Sequence, residues 1–135
     1  MKYLLDTNIC SYIIHDRSER LRKHFRKFRY GDVGISAITL SELHHGVAVS
    51  ADADRNAGIL ETFLSPLIIA PYDADAAQHY GRVQAELKKK GTTIETMDLL
   101  IAAHALALDT ILVTNNTRDC RRVPGLRIEN WTDQH

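Results

Sequence analysis

Short apolar runs alternate with amphipathic stretches along the chain, and this alternation predicts strands separated by helices. The runs that predict strands are residues 2–5, 33–35, 67–70, 110–113 and 126–129, each short, apolar and bounded by polar or turn-forming residues. The stretches with helical spacing begin near Ile9 and then cover residues 19–28, 39–50, 54–63, 73–90 and 97–108. Strands joined by helices pair in parallel through right-handed crossovers. The expected fold is therefore an α/β fold, a three-layer α/β/α sandwich with a mainly parallel sheet.

Polar residues at the helix ends refine this prediction. Thr39, with Glu42 three residues later, forms a capping-box pattern that is expected to open helix 39–50. Thr96 is expected to cap the apolar helix 97–108, and Gly91 is expected to end the long helix before it.

Length and composition limit the kind of protein this can be. At 135 residues with 44% hydrophobic residues, the chain is expected to form a single domain over 1–135 that needs no disulfide or structural metal. Cys10 and Cys120 lie far apart and show no metal-ligand spacing, which favours free thiols in a reducing compartment. The apolar runs are too short to span a membrane, and no secretion signal opens the chain. A soluble, cytoplasmic protein without a membrane partner is expected.

The charged residues are balanced in number but not in distribution. The 17 basic and 17 acidic residues cancel, which argues against a general DNA-coating protein. The basic residues nevertheless form three groups, within 17–29, 88–90 and 118–127. One such group is more often a solvated helix face, but three groups beside a cluster of acids favour phosphate binding. The residues predicted to contact nucleic-acid phosphate are Arg22, Lys23, Arg26, Lys27 and Arg118.

Three acidic residues stand where strands end or helices begin. Asp6 follows the first strand, Glu42 follows the second strand, and Asp98 opens the penultimate helix. Each acid alone could merely complement a helix dipole, which contributes about 0.3–1 kcal/mol. Asp98 is harder to explain in this way, because an ionised carboxylate on an otherwise apolar helix is costly without a cation or hydrogen-bond donors.

A second polar cluster follows the strand 110–113. It contains Asn115, Asn116 and Asp119, and it should lie at the same sheet edge as Asp6, because both follow parallel strands at their carboxyl ends. Two asparagines after a strand often form only a turn, but their amides could also bind a cation or hold a water molecule. Oxygen donors without His or Cys at ligand spacing suit Mg²⁺ or Mn²⁺. Such a site can activate water and stabilise a phosphoryl transition state.

Taken together, these motifs resemble the VapC toxins of the PIN-domain family. The resemblance covers nearly the whole chain and rests on four motifs and three later residues: Leu5-Asp6-Thr7-Asn8, Ser36 with Thr39, Glu42 and Leu43, Asp98 with Ile101, Ala102, Ala103 and Ala105, Val113-Thr114-Asn115-Asn116-Thr117-Arg118, and Gly125, Leu126 and Trp131. The chain is most similar to the VapC group that cuts initiator tRNA in the anticodon stem-loop.

This resemblance implies a metal site and its ligands. Asp6, Glu42 and Asp98 correspond to the acidic metal site, with Asp6 and Asp98 as direct ligands of Mg²⁺. Asn116 stands where many PIN domains have a fourth acid, which weakens the case for a second metal and leaves Asp119 as a candidate substitute.

Polar residues around the acids are expected to orient them. Thr7 and Asn8 would fix Asp6 and a bound water, while Ser36 and Thr114 could donate hydrogen bonds to the carboxylates. A role as helix caps remains an equal alternative for these residues.

The resemblance also implies an activity and partners. It predicts an endoribonuclease toxin of a type II toxin–antitoxin system that cuts RNA, in particular tRNA, and so inhibits translation. The expected products carry a 5′-phosphate and a 3′-hydroxyl. A VapB-like antitoxin would insert a segment across the acidic groove, and the toxin would form a homodimer. Tyr12, Ile13 and Ile14 either face a partner or pack in the core.

Two other functions stay open from the sequence. One is a metal-independent ribonuclease that uses His44 or His45 with Arg118 and leaves a 2′,3′-cyclic phosphate, although packing is the ordinary role of such histidines. The other is an RNA- or protein-binding module without catalytic activity. Kinase and serine-hydrolase functions have no support, because the chain has no glycine-rich phosphate loop and no G-x-S-x-G motif.

Overall fold

A computed structural model describes residues 1–15 and 17–132 of the chain. Helices and strands alternate in the predicted order. The strands are β1 (Tyr3–Leu5), β2 (Val33–Ser36), β3 (Ile68–Ala70), β4 (Ile111–Val113) and β5 (Ile128–Glu129). The helices are α1 (Thr7–Ile14), α2 (Glu19–Phe25), α3 (Ala37–Ala48), α4 (Ala53–Leu64), α5 (Ala74–Lys89), α6 (Thr96–Leu108) and α7 (Thr117–Cys120).

The five strands form one sheet in the order β3-β2-β1-β4-β5. Every neighbouring pair is parallel, so all strands end at the same edge. After β1 the chain builds the sheet outward to β3 on one side, and it then returns to add β4 and β5 on the other side. The direction of winding therefore reverses between β1 and β4, and a sheet of this kind has its ligand-binding crevice at that point.

Alternating side chains of the central strands form a core on each face of the sheet. On one face, Tyr3 and Leu5 of β1 pack with buried residues of α1 to α4. On the other face, Leu4 of β1 and Leu112 of β4 pack with α5, α6 and the segment around α7. The predicted α/β/α sandwich with a parallel sheet is therefore confirmed.

Helix α6 is apolar on nearly all sides because it is enclosed by other elements. Its buried residues are Leu99, Ile101, Ala102, Ala103, His104 and Ala105. The small alanine side chains allow close packing against neighbouring elements, and α5 packs along α6 through Val83 and Leu87. An apolar helix without a polar face is expected where a helix is surrounded by protein. This enclosure makes the single carboxylate of α6, at Asp98, unusual.

Several predicted helix ends were wrong by a few residues. Helix α3 begins at Ala37 instead of Thr39, because the hydroxyl of Ser36 accepts a hydrogen bond from the Ile38 amide at 3.0 Å and caps the helix directly after β2. Glu95, not Thr96, caps α6, since its carboxylate accepts from the Asp98 amide at 3.2 Å.

The end of α2 also differs from its prediction. The helix stops at Phe25 instead of residue 28, and Phe28 stacks on Trp131 with the ring centroids 5.0 Å apart. A tertiary aromatic contact therefore accompanies the end of this helix. In the part of the chain that the structure describes, no helix is long and apolar enough to cross a membrane. Cys10 and Cys120 are free, as predicted, and both are buried.

The close pairing of β2 with β3 depends on a glycine, and this can be tested. A methyl group added at Gly34 would lie 2.6 Å from the Ile68 carbonyl oxygen, so the strands would have to separate. We expect Gly34→Ala to lower the free energy of unfolding by roughly 1–3 kcal/mol, the usual cost of overpacking. Gly81→Ala is the matched control, because Gly81 lies in α5 with open space around it. It should raise stability by about 0.5–1 kcal/mol, and chemical denaturation of both variants would measure the contrast.

Candidate active site

Asp6 lies at the carboxyl end of the central strand and is buried, with 9% of its surface exposed. One carboxylate oxygen accepts a hydrogen bond from the Ile9 amide at 2.9 Å, so Asp6 also caps α1. Burial is the main reason that the pKa of Asp6 is raised to about 6, although hydrogen bonds from Thr114 and Ile9 lower it. The negative charges of Asp98 and Glu42 raise this pKa as well. Asp6 is therefore held in place among other acids, and its charge is only partly compensated.

Asp98 lies near Asp6 but belongs to α6, which packs on the face of the sheet opposite to α1. It lies in the first turn of α6 and is partly buried. Its pKa is raised, first by burial and then by the charges of Glu95, Glu42 and Asp119. The Asn116 amide donates a hydrogen bond to the Asp98 carboxylate at 3.4 Å and lowers this pKa. Burial and the neighbouring acids thus outweigh this single donor.

Glu42 lies beside these two acids but has a different environment. The Thr7 hydroxyl donates a hydrogen bond to one oxygen of Glu42, and Thr7 also contacts the Thr39 hydroxyl at 3.3 Å. These contacts join the start of α1 to α3. Glu42 lies in the second turn of α3, because the helix begins at Ala37. It faces a groove next to the acidic site.

Asn116 connects the acidic site to α7. Its side-chain amide also donates to Asp119 at 3.3 Å, and its backbone amide donates to the Thr114 hydroxyl at 2.9 Å. A cavity of about 10 Å³ lies here, and it is lined by four polar residues, Asp6, Asp98, Thr114 and Asn116, and by Ile101, Leu112 and Cys120. A space of this size holds about one water molecule or ion. The cavity lies at the carboxyl ends of β1 and β4, where the direction of winding reverses.

The donors around this cavity suit a divalent cation that also uses external ligands. No three His, Cys, Asp or Glu side chains within residues 1–15 and 17–132 converge as a ready-made metal site. Asp6 and Asp98 supply two carboxylates and Asn116 a neutral amide oxygen. Mg²⁺ characteristically binds through one or two carboxylates and completes its shell with water and substrate phosphate. A cation here would also offset the repulsion between the two acids.

Other predicted site residues lie farther from the cavity. Asn8 is exposed and faces the groove beside Glu42. Asn115 is half-buried and is not among the residues that surround the cavity. Ser36 is fully buried, and its hydroxyl contacts Ile38 and the ring of His104 rather than a carboxylate.

Three residues near the site were missed by sequence reasoning. Glu95 caps the helix that carries Asp98. Cys120 is one of the residues around the acidic cavity, and burial raises its pKa to about 12, which keeps the thiol uncharged. Cys120 follows Asn116 by four residues, and this spacing puts two side chains on the same face of a helix. The sequence could therefore have indicated that Cys120 lies near Asn116.

His104 is the third missed residue. It is buried on α6, and its Nδ1 lies 2.7 Å from the Ser36 hydroxyl. Burial lowers the pKa of His104, which favours the neutral ring. His104 therefore ties α6, which carries Asp98, to the start of α3, which carries Glu42. Only the tertiary contact with Ser36 identifies this role, because burial alone is ordinary for a histidine in an apolar helix.

The predicted RNA-binding residues are exposed or half-buried, but none surrounds the acidic cavity. Lys23 pairs with Glu19 at 3.4 Å on α2, and Arg26 and Lys27 follow the end of that helix. Arg22 is half-buried in the same helix. Arg118 is exposed on α7, two residues after Asn116.

The histidines of the alternative mechanism do not line the cavity where Asp6 and Asp98 meet. His44 and His45 are exposed on α3, and neither contributes to the acidic cavity or to the adjacent groove. The structure thus places both histidines outside the cavity that Asp6 and Asp98 share.

A larger groove of about 430 Å³ opens beside Glu42 between α1, α3 and α4. Its walls combine polar residues near the acids with apolar residues farther away, including Ile14, Val47 and Ile59. Tyr12 and Ile13, for which the sequence left open a partner contact or core packing, are half-buried and pack against the core. Ile14 both packs against this core and faces the groove.

The sequence is similar to those of known proteins over nearly its whole length. The sequence model of the PIN-domain family matches residues 3–126. The chain is 41% identical over 131 residues to the tRNA(fMet)-specific endonuclease VapC of Salmonella typhimurium, covering 97% of this chain and 98% of that protein. It is 43% identical over 131 residues to ribonuclease VapC2 of Haemophilus influenzae, again covering 97% and 98%.

The fold comparison gives the same result. The crystal structure of DNA-bound VapBC from Salmonella typhimurium matches with a TM-score of 0.92 at 41% identity, covering 97% of this chain and 98% of that chain. PIN-domain nucleases generally need a divalent metal. With an acidic cavity at the winding reversal of its parallel sheet, the chain belongs to the VapC ribonucleases of the PIN-domain family.

Proposed function

We propose that this chain is a Mg²⁺-dependent endoribonuclease toxin that cleaves initiator tRNA and thereby inhibits translation, with residues 1–135 acting as one nuclease domain. The observation that carries the proposal is the meeting of Asp6, Asp98 and Asn116 around an ion-sized cavity. The relative from Salmonella typhimurium, whose name specifies tRNA(fMet), supports the choice of substrate. A tRNA substrate implies action in the cytoplasm.

Asp6 and Asp98 would hold the cation directly, and Mn²⁺ should substitute for Mg²⁺ because both accept oxygen ligands. The metal would supply Lewis-acid activation of water and stabilisation of charge on the phosphoryl group. Glu42, held by Thr7, would accept a hydrogen bond from water in the metal's shell. Asn116 and Asp119 would orient Asp98 and adjacent water.

The reaction would be the hydrolysis of a phosphodiester bond. The oxygen of water bonds to phosphorus, the bond from phosphorus to the 3′-oxygen breaks, and the leaving oxygen gains a proton. The products carry a 5′-phosphate and a 3′-hydroxyl. Arg118 would contact the phosphate and offset the charge that grows on its oxygens. Arg22, Lys23, Arg26 and Lys27 would contribute RNA affinity farther from the reacting bond.

We also propose that a VapB-like antitoxin inhibits the enzyme by filling the groove between α1, α3 and α4. Solved complexes of VapBC proteins support this partner. The groove suits an amphipathic segment, because its apolar walls continue into the polar region around Thr7 and Glu42. A segment bound there would lie beside the acidic cavity and obstruct RNA. The proposed homodimer rests on the family resemblance alone.

The first test of this function combines metal removal with a change at Asp98. Purified protein should cleave initiator tRNA in Mg²⁺ or Mn²⁺, stop in EDTA and recover when Mg²⁺ is added back. Asp98→Asn should reduce cleavage at least about 100-fold, while its metal-free stability stays equal or rises because a crowded charge is removed. Asp75→Asn is the matched control, since Asp75 also lies in the first turn of a helix but away from the cavity.

The result can contradict the proposal in three ways. Undiminished cleavage in EDTA would favour a metal-independent mechanism. RNA binding without turnover in any divalent metal would favour a binding module. A destabilised but still active Asp98→Asn protein would make Asp98 a structural residue.

A second test uses the raised pKa of Asp6. Between its ordinary pKa of 3.8 and its native value of about 6, folded protein binds more protons at Asp6 than unfolded protein does, so this contribution to stability decreases as pH rises. Metal-free protein should gain roughly 1 kcal/mol from Asp6 when pH falls from 7 to 5. Chemical denaturation at both pH values should show this gain reduced in Asp6→Asn but retained in Asp54→Asn, which changes an exposed acid. Equal gains in all three proteins would contradict the assignment.

The antitoxin groove can be blocked without disturbing the core. Gly46 faces the groove, and a Cβ atom added there meets no atom within 4 Å. Gly46→Gln should therefore fold normally yet bind a co-expressed VapB-like antitoxin at least about tenfold more weakly, because the new side chain occupies the groove. Gly58→Gln is the control, since Gly58 is equally open on α4 but does not face the groove. If both variants bind the antitoxin with equal affinity, the antitoxin interface does not include this groove.

A further inference from the structure

Two basic segments that are distant in sequence meet around one open cleft. Lys90 and Gly91 end α5, and Arg121 and Arg122 follow α7. The cleft between them has a volume of about 650 Å³, and its remaining wall is formed by Thr92, Thr93 and Pro124. The second and third basic groups of the sequence are therefore parts of one surface in the folded protein.

This cleft is lined by cations and hydroxyl groups, and none of the residues that line it is acidic. All three of its basic side chains are exposed. Among the residues that the structure describes, neither Lys90 nor Arg121 forms an ion pair, while Arg122 contacts Asp119 at 3.8 Å. The cleft is thus positively charged and open to a ligand.

Basic residues at helix C-termini have an ordinary explanation. Lys90 and Arg121 each cap the end of a helix, where a positive charge complements the helix dipole by about 0.3–1 kcal/mol. That effect accounts for each residue separately. It does not account for their convergence on one cleft, because like charges brought together repel one another unless an anion lies between them.

The cleft is connected to the acidic cavity through α7. The short helix begins at the Asn116 cap, beside Asp98, and ends at Arg121, beside the cleft. Four helical residues span only about 6 Å. The side chains of Asn116, Asp119 and Arg122 form a continuous series of contacts along the helix. An RNA strand whose reacting phosphate lies at the cavity could therefore continue along α7 to the cleft.

We propose that the cleft formed by Lys90, Arg121 and Arg122 binds backbone phosphate of the RNA substrate on one side of the reacting bond. The ligand class is a polyanionic sugar-phosphate strand. The threonine hydroxyls can donate to phosphate oxygens, while the basic side chains supply charge. The cleft contributes affinity and sets the direction of the strand without reading its sequence. This proposal rests on the proposed ribonuclease function, because it places the cleft on the path of the same RNA.

The experiment compares RNA binding by two double variants. Lys90→Ala with Arg121→Ala removes two charges from the cleft and leaves Arg122 with its partner Asp119. Arg55→Ala with Arg82→Ala removes two exposed charges that lie outside this cleft. Affinity for an initiator tRNA transcript is measured in metal-free buffer over a range of salt concentrations, so that binding is scored without cleavage. Thermal melts establish that all proteins are folded.

The cleft variant should bind the transcript several-fold more weakly at low salt than wild type. The slope of log affinity against log salt should become shallower by about 0.7–0.9 for each phosphate that the variant no longer neutralises. The control variant should change both quantities much less. If both variants lose affinity equally, the cleft has no special role and the proposal is overturned.

The binding assay is independent of the proposed catalytic activity. Absence of cleavage by wild type in any divalent metal would overturn the ribonuclease function, while the salt slopes would still decide whether the cleft binds RNA phosphate. Conversely, normal cleavage with unchanged binding by the cleft variant would reject the cleft alone. Arg121→Glu provides a second variant, and it should weaken binding more than Arg121→Ala because it adds repulsion.

Discussion

The buried carboxylate of Asp6 is the constraint around which this site is organised. Strand β1 lies between β2 and β4, so the residue that follows it is enclosed from both sides. The cap to Ile9 fixes the side chain, and burial raises its pKa to about 6. The negative charge of a carboxylate that cannot turn toward solvent must be stabilised by nearby donors or cations. The hydrogen bonds from Thr114 and Ile9 supply only part of this stabilisation. A divalent cation would supply the rest while joining two acids that otherwise repel each other.

The three acids do not have identical roles. Asp6 and Asp98 meet at the cavity, whereas Glu42 accepts a hydrogen bond from Thr7 and faces the larger groove. The cavity and the groove therefore lie next to each other at the start of α1, where Asp6 lines the cavity and Thr7 lines the groove. A partner in the groove would contact the same Thr7 and Glu42 pair that borders the acidic site. Inhibition by such a partner could combine obstruction of RNA with displacement of Glu42, because both depend on one surface.

Helices on both faces of the sheet determine how the site is assembled. Helix α3 brings Glu42 from one layer, and α6 brings Asp98 from the other. The contact between His104 of α6 and Ser36, which caps α3, joins these helices. Helix α7 then extends the site from Asn116 toward the basic cleft. The residues of the site thus lie in short loops and at helix ends, and the hydrophobic core on each face of the sheet keeps these segments in position.

The sequence by itself determined the fold class, the order of the elements and the principal acids. Short continuous apolar runs identify the strands, because helices cover both faces of a parallel sheet. Helical spacing identifies the helices, because side-chain burial repeats with the turn of the helix. Asp98 was recognisable from sequence because a lone charge on an apolar helix is costly. Ser36 and Glu95 cap their helices through local contacts, but the sequence offered Thr39 and Thr96 as competing caps and the structure decided between them. Only the tertiary structure decided that Glu42 faces the groove. It also brought Lys90 and Arg121 to one cleft. These outcomes depend on distances between residues far apart in the chain, and local periodicity carries no information about such distances.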